Sequence, residues 1–223
     1  MFPRVERVTE NGLNEVIVNF YTDNQSLEII EDFCVGCGIC MKVCPNDAII
    51  VPPTEGRTRI RTEDLIAEVP DPLKCSYCGT CAYMCPFQAI SLKKNGTKIQ
   101  NEDLALRKKH VLPLINREPI FCDRIKKEAR IYLEGSLGID WNKCISCLSC
   151  VEVCPTGAFS RKEKDEIEKG QPRIKFDESK CILCGACVNS CSKKVMCLNI
   201  DKINHTGNYK EIFWSRIEKK LKE

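Results

Sequence analysis

The sequence predicts an α+β fold in which two small modules of similar build follow each other along the chain. One cysteine spacing, C-x2-C-x2-C-x3-C, occurs four times and accounts for all but two of the 18 cysteines. The four runs are Cys34, Cys37, Cys40 and Cys44 (run one), Cys75, Cys78, Cys81 and Cys85 (run two), Cys144, Cys147, Cys150 and Cys154 (run three), and Cys181, Cys184, Cys187 and Cys191 (run four). Short segments with the alternation of β-strands flank the runs. A unit repeated in this way predicts a repeated structure.

The spacing within each run indicates what the cysteines hold. A disulfide scaffold is typical of short secreted chains, whereas this chain has 223 residues and opens without an apolar signal segment. Structural zinc sites use two C-x2-C pairs that are separated by a longer loop. Four thiols this close together instead favour an iron–sulfur cluster, as in the bacterial ferredoxin run, where a proline follows the last cysteine. Runs one to three have this proline, as Pro45, Pro86 and Pro155. In run four, Ser192 occupies the same position.

The separation of the runs predicts how they pair. Thirty residues lie between runs one and two and twenty-six between runs three and four, whereas fifty-eight lie between runs two and three. A pair of clusters needs a short connection, so runs one and two form one module and runs three and four form the other. We therefore expect four 4Fe-4S clusters in two tandem modules of the bacterial two-cluster ferredoxin type, with inserted arms and a C-terminal helix.

Two ligand schemes are compatible with this pairing. In two-cluster ferredoxins the fourth cysteine of each run ligates the other cluster of the pair. That exchange predicts four ligand sets, which are Cys34, Cys37, Cys40 and Cys85; Cys75, Cys78, Cys81 and Cys44; Cys144, Cys147, Cys150 and Cys191; and Cys181, Cys184, Cys187 and Cys154. The alternative is that each run holds its own cluster. We favour the exchange, because the three-residue spacer and the proline turn the fourth thiol away from its own run.

Local patterns place the remaining elements. We expect strands at the ends of both modules, over residues 26–30, 89–94, 129–135 and 194–200. The third and fourth cysteines of each run lie four residues apart, which predicts one turn of helix between them. The expected division of the chain is a first module over 1–96, a linker over 97–128, a second module over 129–206 and a C-terminal helix over 207–223.

Three segments lie outside the repeated unit. The proline-rich insert 52–72 predicts an arm on the surface of the first module. After a tight turn at Asn95 and Gly96, Asn101 is a candidate N-cap for a helix that stops before Pro113. The C-terminal segment has one helical stripe, made of Tyr209, Ile212, Phe213, Ile217 and Leu221. We expect this stripe to dock on its own chain, and a contact with another protein chain is the alternative.

Glycine occurs inside three of the four runs. Gly36, Gly38, Gly79 and Gly185 let backbone amides approach the cluster sulfurs, which raises the reduction potential of a cluster. Run three reads CISCLSC and has no glycine. We therefore expect its cluster to be held in a different amide geometry.

No pattern in the sequence predicts a substrate site of its own. The chain has no dinucleotide fingerprint, no phosphate-binding loop and no haem attachment motif. We expect His110 and His205 to be structural or exposed. Cys122 and Cys197 are expected to be buried apolar thiols, and redox activity or a bond to a partner is the alternative. The aromatic residues beside the ligands are expected to shield the clusters from water; they are Tyr77, Tyr83, Phe87 and Phe159.

The charge of the protein changes when the clusters are counted. The formal net charge of the chain is +3. Each oxidised 4Fe-4S site with four thiolates carries about −2, which makes the loaded protein acidic at about −5. Basic stretches such as 107–110 are therefore expected to be solvated rather than to contact nucleic acid. No apolar run approaches the roughly 20 residues that span a bilayer, and we expect the cytoplasm of an anaerobic organism.

The motifs resemble those of the archaeal polyferredoxins, and in particular the polyferredoxin component of formylmethanofuran dehydrogenase. The resemblance rests on CVGCGICMKVCPNDAII, CSYCGTCAYMCPFQAISLKKNG, HVLPLI and GIDWNKCISCLSCVEVCPTGAF, within residues 25–200. It implies an electron-transfer subunit that delivers low-potential electrons to other oxidoreductase subunits, among them one with a molybdenum or tungsten centre.

Several redox centres without a substrate site predict electron transfer rather than catalysis, because each 4Fe-4S centre passes one electron. The alternatives are an electron-transfer subunit of a hydrogenase or of the heterodisulfide reductase system, and a free soluble carrier. The proline-rich insert, the linker and the C-terminal helix favour a subunit over a carrier.

Overall fold

Both halves of the chain repeat one order of elements, which is a strand, a cysteine run with a short helix, a second run with a second helix, and a closing strand. The computed structural model describes residues 3–163, 166, 171–207, 209 and 211–223. A 3-10 turn leads into every run, namely Glu31–Phe33, Pro72–Lys74, Trp141–Lys143 and Glu178–Lys180. The predicted fold class of two tandem modules is therefore confirmed.

The first module is built on a five-stranded antiparallel sheet with the strands in sequence order. The strands are β1 (Arg4–Glu10), β2 (Leu13–Asn19), β3 (Asn24–Ile30), β4 (Ile90–Lys94) and β5 (Thr97–Lys98). Strand β3 enters run one and β4 leaves run two, and they pair with Leu27 opposite Leu92. This pairing confirms both predicted strands. Asn95 and Gly96 form the predicted tight turn between β4 and β5, both with positive φ.

The second module closes in the same way through a longer pair of strands. Strand β9 (Leu133–Ile139) enters run three and pairs with β12 (Met196–Ile203), which leaves run four. The short strands β10 (Phe159–Arg161) and β11 (Ile174–Phe176) pair between the two runs. The strand that we predicted over 129–135 is present but interrupted at the buried Tyr132, which lies between β8 (Lys127–Ile131) and β9. The Tyr132 hydroxyl donates its proton to the Met84 carbonyl.

The linker forms small β-structures between the modules. Strand β7 (Glu118–Cys122) pairs with β8, and β6 (Leu114–Ile115) pairs with β13 (His205–Thr206). The helix that we predicted from Asn101 to Pro113 is much shorter. Asn101 lies inside a 3-10 turn (Asn101–Asp103) rather than at an N-cap, and only α3 (Ala105–Lys108) follows.

Each cysteine run carries one short helix, which confirms the predicted turn. These helices are α1 (Ile39–Lys42), α2 (Thr80–Met84), α4 (Ser149–Val153) and α5 (Ala186–Ser190). Each helix contains the third cysteine of its run and stops before the fourth. Proline directly after the fourth cysteine in three runs is consistent with that stop, since it cannot continue a helix.

The insert 52–72 is a surface arm, as we predicted, only in its first half, where residues 55–59 are exposed. Its apolar side chains Ile60, Leu65, Ala67 and Val69 are buried in the core of the first module. Their burial fixes the insert against the cysteine runs. The Ile60 amide also donates a 2.9 Å hydrogen bond to the Ser149 hydroxyl in the second module, so the insert bridges the two modules.

The chain ends with the longest helix, α6 (Ile212–Lys222), which docks on its own chain as we expected. Its buried face consists of Trp214, Ile217 and Leu221, whereas Ile212 is exposed. The predicted stripe is therefore largely confirmed, since Phe213 and Tyr209 also pack against the core, but it wrongly included Ile212 and missed Trp214. Lys220 Nζ lies 3.3 Å from the Cys44 carbonyl oxygen, so this helix contacts the end of run one. Within the described ranges, no helix has the length and apolar character needed to cross a bilayer.

Candidate iron–sulfur centres

All four cysteine runs adopt one loop geometry with two left-handed residues each. The residue before the second cysteine has positive φ in every run, at Gly36, Tyr77, Ser146 and Leu183. The residue after it is also left-handed and begins the helix, at Gly38, Gly79, Leu148 and Gly185. Run three therefore has the same backbone geometry as the others without any glycine, which corrects our expectation of a different one.

The turn after the fourth cysteine brings a backbone amide to its sulfur. The amides of Ala48 and Ala89 donate to Cys44 Sγ and Cys85 Sγ at 3.2 Å and 3.3 Å. In run four, where serine replaces proline, the Val195 amide donates to Cys191 Sγ at 3.5 Å. The proline is therefore not required for this turn. Amide donors of this kind stabilise a negatively charged thiolate–cluster unit.

The first cavity lined by cysteines contains thiols from both runs of the first module. Its cysteines are Cys34, Cys37, Cys40 and Cys85. Apolar side chains such as Ile39 and Phe87 form much of the remaining wall. The structure therefore brings the fourth cysteine of run two to the first three of run one.

The second module has two further cavities of nearly equal size. One is lined by Cys144, Cys147, Cys150 and Cys191. The other is lined by Cys154, Cys181, Cys184 and Cys187. In both cavities the fourth cysteine again comes from the other run of the module.

The remaining four cysteines also lie close together, as the electrostatics of their thiols shows. Burial raises the pKa of Cys81 well above its usual range, and nearby thiolates add to the shift, among them Cys78, Cys75 and Cys44. Burial likewise raises the pKa of Cys75 to about 11, with contributions from Cys78 and Cys44. Cys44 of run one therefore lies beside the first three cysteines of run two.

These sites fit a 4Fe-4S cluster better than a single metal ion. A structural zinc ion draws four ligands to about 2.3 Å from one point. Here the thiols line the walls of the cavities instead, and among the described residues no three Cys, His, Asp or Glu side chains converge on one ion. Four thiols, apolar walls and amides directed at sulfur are the surroundings that a cubane cluster needs.

The raised thiol pKa values predict how cluster retention depends on pH. Burial raises the pKa of Cys150 and Cys184 to about 12, so in the iron-free chain these thiols are protonated at neutral pH. Protons then compete with iron for the thiolates. We expect the clusters to be retained at alkaline pH and lost as the pH falls, with affinity changing about tenfold per pH unit for each displaced proton.

This dependence can be measured from the visible absorbance of the loaded protein, equilibrated anaerobically over a range of pH. The expected loss is steeper than a single-proton titration, because several thiols are protonated for each cluster. Cluster loss that is independent of pH would contradict this role of the thiols.

The two cysteines outside the runs differ in their exposure to solvent. Cys122 is buried at the end of β7, as expected. Cys197 is exposed on β12, which corrects our expectation of a buried thiol, because its position in the strand alternation points outward. His110 is exposed, and His205 packs edge-on against Trp214 with 5.4 Å between the ring centroids.

The four aromatic residues near the ligands have different surroundings, and only two of them line a cluster cavity. Phe87 and Phe159 line cluster cavities and are buried, which agrees with the expected shielding role. Tyr83 is buried but binds the linker instead, because its hydroxyl donates to the Pro113 carbonyl at 2.7 Å. Tyr77 is half-buried at a left-handed position of run two.

Three basic side chains of the linker approach the cysteine runs, and sequence reasoning missed them. Arg117 Cζ lies 4.5 Å from the Tyr83 ring centroid. Arg124 Nε donates to the Cys154 carbonyl at 3.2 Å, and Lys127 Nζ lies 3.5 Å from the Phe33 ring centroid. Positive charges near the runs stabilise the anionic cluster sites. These basic residues are visible in the sequence, but their positions beside the runs depend on how the linker folds, including the β7–β8 pairing for Lys127.

Comparison with family models agrees with this geometry. A model described as "4Fe-4S dicluster domain" matches residues 33–89 and again 143–195. A second model with the same description matches residues 74–159, which contain runs two and three. Together the matches extend from residue 33 to residue 195 without a gap.

Curated relatives are similar over about half of the chain. One component of the Na(+)-translocating ferredoxin:NAD(+) oxidoreductase complex of Acetobacterium woodii is 30% identical over 132 residues, which are 57% of this chain and 36% of that protein. Polyferredoxin protein MvhB of Methanothermus fervidus is 29% identical over 146 residues, 53% of this chain and 35% of that protein. The chain thus spans about a third of the length of each relative.

One solved structure is similar over nearly the whole chain. It is a chain of the formate dehydrogenase - heterodisulfide reductase - formylmethanofuran dehydrogenase complex from Methanospirillum hungatei, with a TM-score of 0.77 and 24% identity. The match covers 99% of this chain and 92% of that one. At this identity the likeness shows a shared fold.

Proposed function

Because the chain belongs to the polyferredoxin-like 4Fe-4S dicluster family, we propose that it relays single electrons through four 4Fe-4S clusters as a subunit of a larger oxidoreductase complex. The cofactor follows from two dicluster domains with four complete cysteine runs. The observation that carries the proposal is that three cavities of nearly equal size each contain four thiols and apolar walls. Such surroundings tune and shield a redox centre, and each centre passes one electron.

We propose the exchanged ligand sets for these clusters. In each cysteine-lined cavity the fourth thiol comes from the partner run, as the exchange requires. The chain itself supplies the thiolates, the amide donors and the exclusion of water. It would not carry out substrate chemistry of its own, and its role is to fix the spacing and the potentials of the clusters.

The specific complex that we propose is formylmethanofuran dehydrogenase, in which the chain would deliver low-potential electrons toward a molybdenum or tungsten centre in another protein chain. The quoted motifs that resemble its polyferredoxin component and the shared fold with a chain of the Methanospirillum hungatei complex support this proposal.

A second candidate has its own support. The Acetobacterium woodii relative is a component of a ferredoxin:NAD(+) oxidoreductase complex, so an electron-transfer role in another complex is compatible with the same chain. A free electron carrier is the remaining alternative.

Purification from the native host under anaerobic and mild conditions separates these functions. We expect the chain to elute with large partner subunits, and with molybdenum or tungsten if the specific proposal is correct. Elution with hydrogenase subunits or NAD-linked subunits would show that the chain belongs to a different complex from the one proposed. Elution of the loaded chain alone would favour the free carrier.

A further inference from the structure

The two modules meet where run one approaches run four. Gly185 begins α5 with a φ of +87°, and a methyl group placed on it would lie 3.2 Å from the Cys37 carbonyl oxygen. Gly185 directly follows Cys184 in run four. Cys37 of the first module and Cys184 of the second are therefore close neighbours.

One side chain links run four directly to run one. Asn189 lies on α5 and donates from Nδ2 to the Gly36 carbonyl at 2.8 Å. Its backbone carbonyl accepts a 3.1 Å hydrogen bond from the Thr54 hydroxyl of the insert. A methyl group on Gly38 would lie only 2.6 Å from Asn189 Nδ2, so the amide fills the space beside that glycine.

An ion pair between the insert and the turn after run four is a weaker link. Lys194 and Glu55 form a 2.9 Å ion pair, but both side chains are mostly exposed. Exposed pairs of this kind contribute little to the free energy of folding, because water and salt screen them. The partly buried amide of Asn189 is therefore the stronger of these two polar links to the first module.

Exposure at equivalent positions indicates which clusters lie at the junction. The residue directly after the first cysteine is buried in run one (Val35, 1% exposed) and in run four (Ile182, 7%). The same position is exposed in run two (Ser76) and in run three (Ile145, 52%). At this position runs one and four face the interior of the protein, whereas runs two and three face solvent.

We propose that Asn189 is a positioning residue that holds the cluster of Cys34, Cys37, Cys40 and Cys85 next to the cluster of Cys181, Cys184, Cys187 and Cys154, so that all electrons pass between the modules at this one step. This inference rests on the proposed electron relay. It orders the four clusters, with two inner centres at the junction and two outer centres near the surface. Electron transfer slows steeply as the gap between centres widens, so the contact that sets the gap controls the step.

Two variants test the contact from opposite sides. Asn189→Ala removes the amide, and Gly38→Ala places a methyl group against it. Gly157→Ala is the matched control for Gly38→Ala, because Gly157 has a similar φ of +68° and nothing within 4 Å of the added methyl group. Asn142→Ala, at an exposed asparagine beside run three, is the control for Asn189→Ala.

The readout is the electron paramagnetic resonance spectrum of the fully reduced four-cluster protein, together with its iron content. We expect both test variants to keep about sixteen iron atoms per chain and to lose the same part of the magnetic interaction between clusters. Both controls should give the spectrum of the unaltered protein.

Unchanged interaction in Asn189→Ala and Gly38→Ala would overturn the proposal. Loss of iron from Asn189→Ala, with both controls fully loaded, would also overturn it, because the residue would then retain a cluster rather than set a distance. If the electron relay itself is wrong, the result looks different. The unaltered protein would then hold clusters that accept no electrons from a reductant.

Discussion

Replacement of Cys85 with alanine is expected to remove the cluster that run one holds, and to leave the cluster of run two in place. The reason is that Cys85 lines the cavity of Cys34, Cys37 and Cys40. Iron content should fall from about sixteen to about twelve atoms per chain. Alanine is preferred to serine for this test, because a serine oxygen can stand in for the lost thiolate.

The identity of the lost cluster is read by comparison with two single-run variants. The spectrum and the reductive titration of Cys85→Ala should match those of Cys37→Ala and differ from those of Cys78→Ala. The reciprocal variant Cys44→Ala should match Cys78→Ala. If Cys85→Ala and Cys78→Ala instead lose the same cluster, each run holds its own cluster and the exchanged ligand sets are wrong.

Replacement of Trp214 with alanine is expected to destabilise the loaded protein by about 3–5 kcal/mol, the usual cost of emptying a buried tryptophan site. Trp214 is fully buried and packs α6 against the first module and β12. We therefore expect deletion of residues 207–223 to lower stability as well, rather than only to weaken a partner contact. Denaturant unfolding of the loaded protein under anaerobic conditions measures the effect.

Two variants serve as controls for the packing of this helix. Ile212→Ala removes a side chain of similar apolar character that is 74% exposed, so it should change the free energy of unfolding by less than about 0.5 kcal/mol. Trp214→Phe should cost much less than Trp214→Ala, because the indole N–H has no hydrogen-bond partner among the described residues. Equal effects of Trp214→Ala and Ile212→Ala would show that α6 is not part of the folded core.

The parts of the fold that depend on local spacing were predictable. The cysteine intervals predicted the four runs, their pairing and the short helices, and the flanking alternation predicted β3 and β4. The left-handed geometry of run three was not predictable from its residues. Leu148 adopts a φ of 67° that costs an L-residue about 1–2 kcal/mol, and the surrounding loop imposes it.

The features that depend on contacts between distant segments were missed. The insert has apolar residues at alternate positions Leu65, Ala67 and Val69, which is a signal of burial that its prolines obscured. In α6, the spacing of Trp214, Ile217 and Leu221 was visible in the sequence, but the face that docks depends on the surface that receives it. Asn189 carries no sequence signal at all, because its role exists only where two modules meet.

The central claim is that the chain holds four clusters that accept one electron each, and an anaerobic reductive titration tests it most directly. Iron, acid-labile sulfide and zinc are counted on the same sample. We predict about sixteen iron and sixteen sulfide atoms per chain and the uptake of about four electrons. Zinc without sulfide, or iron and sulfide that take up no electrons, would contradict the account.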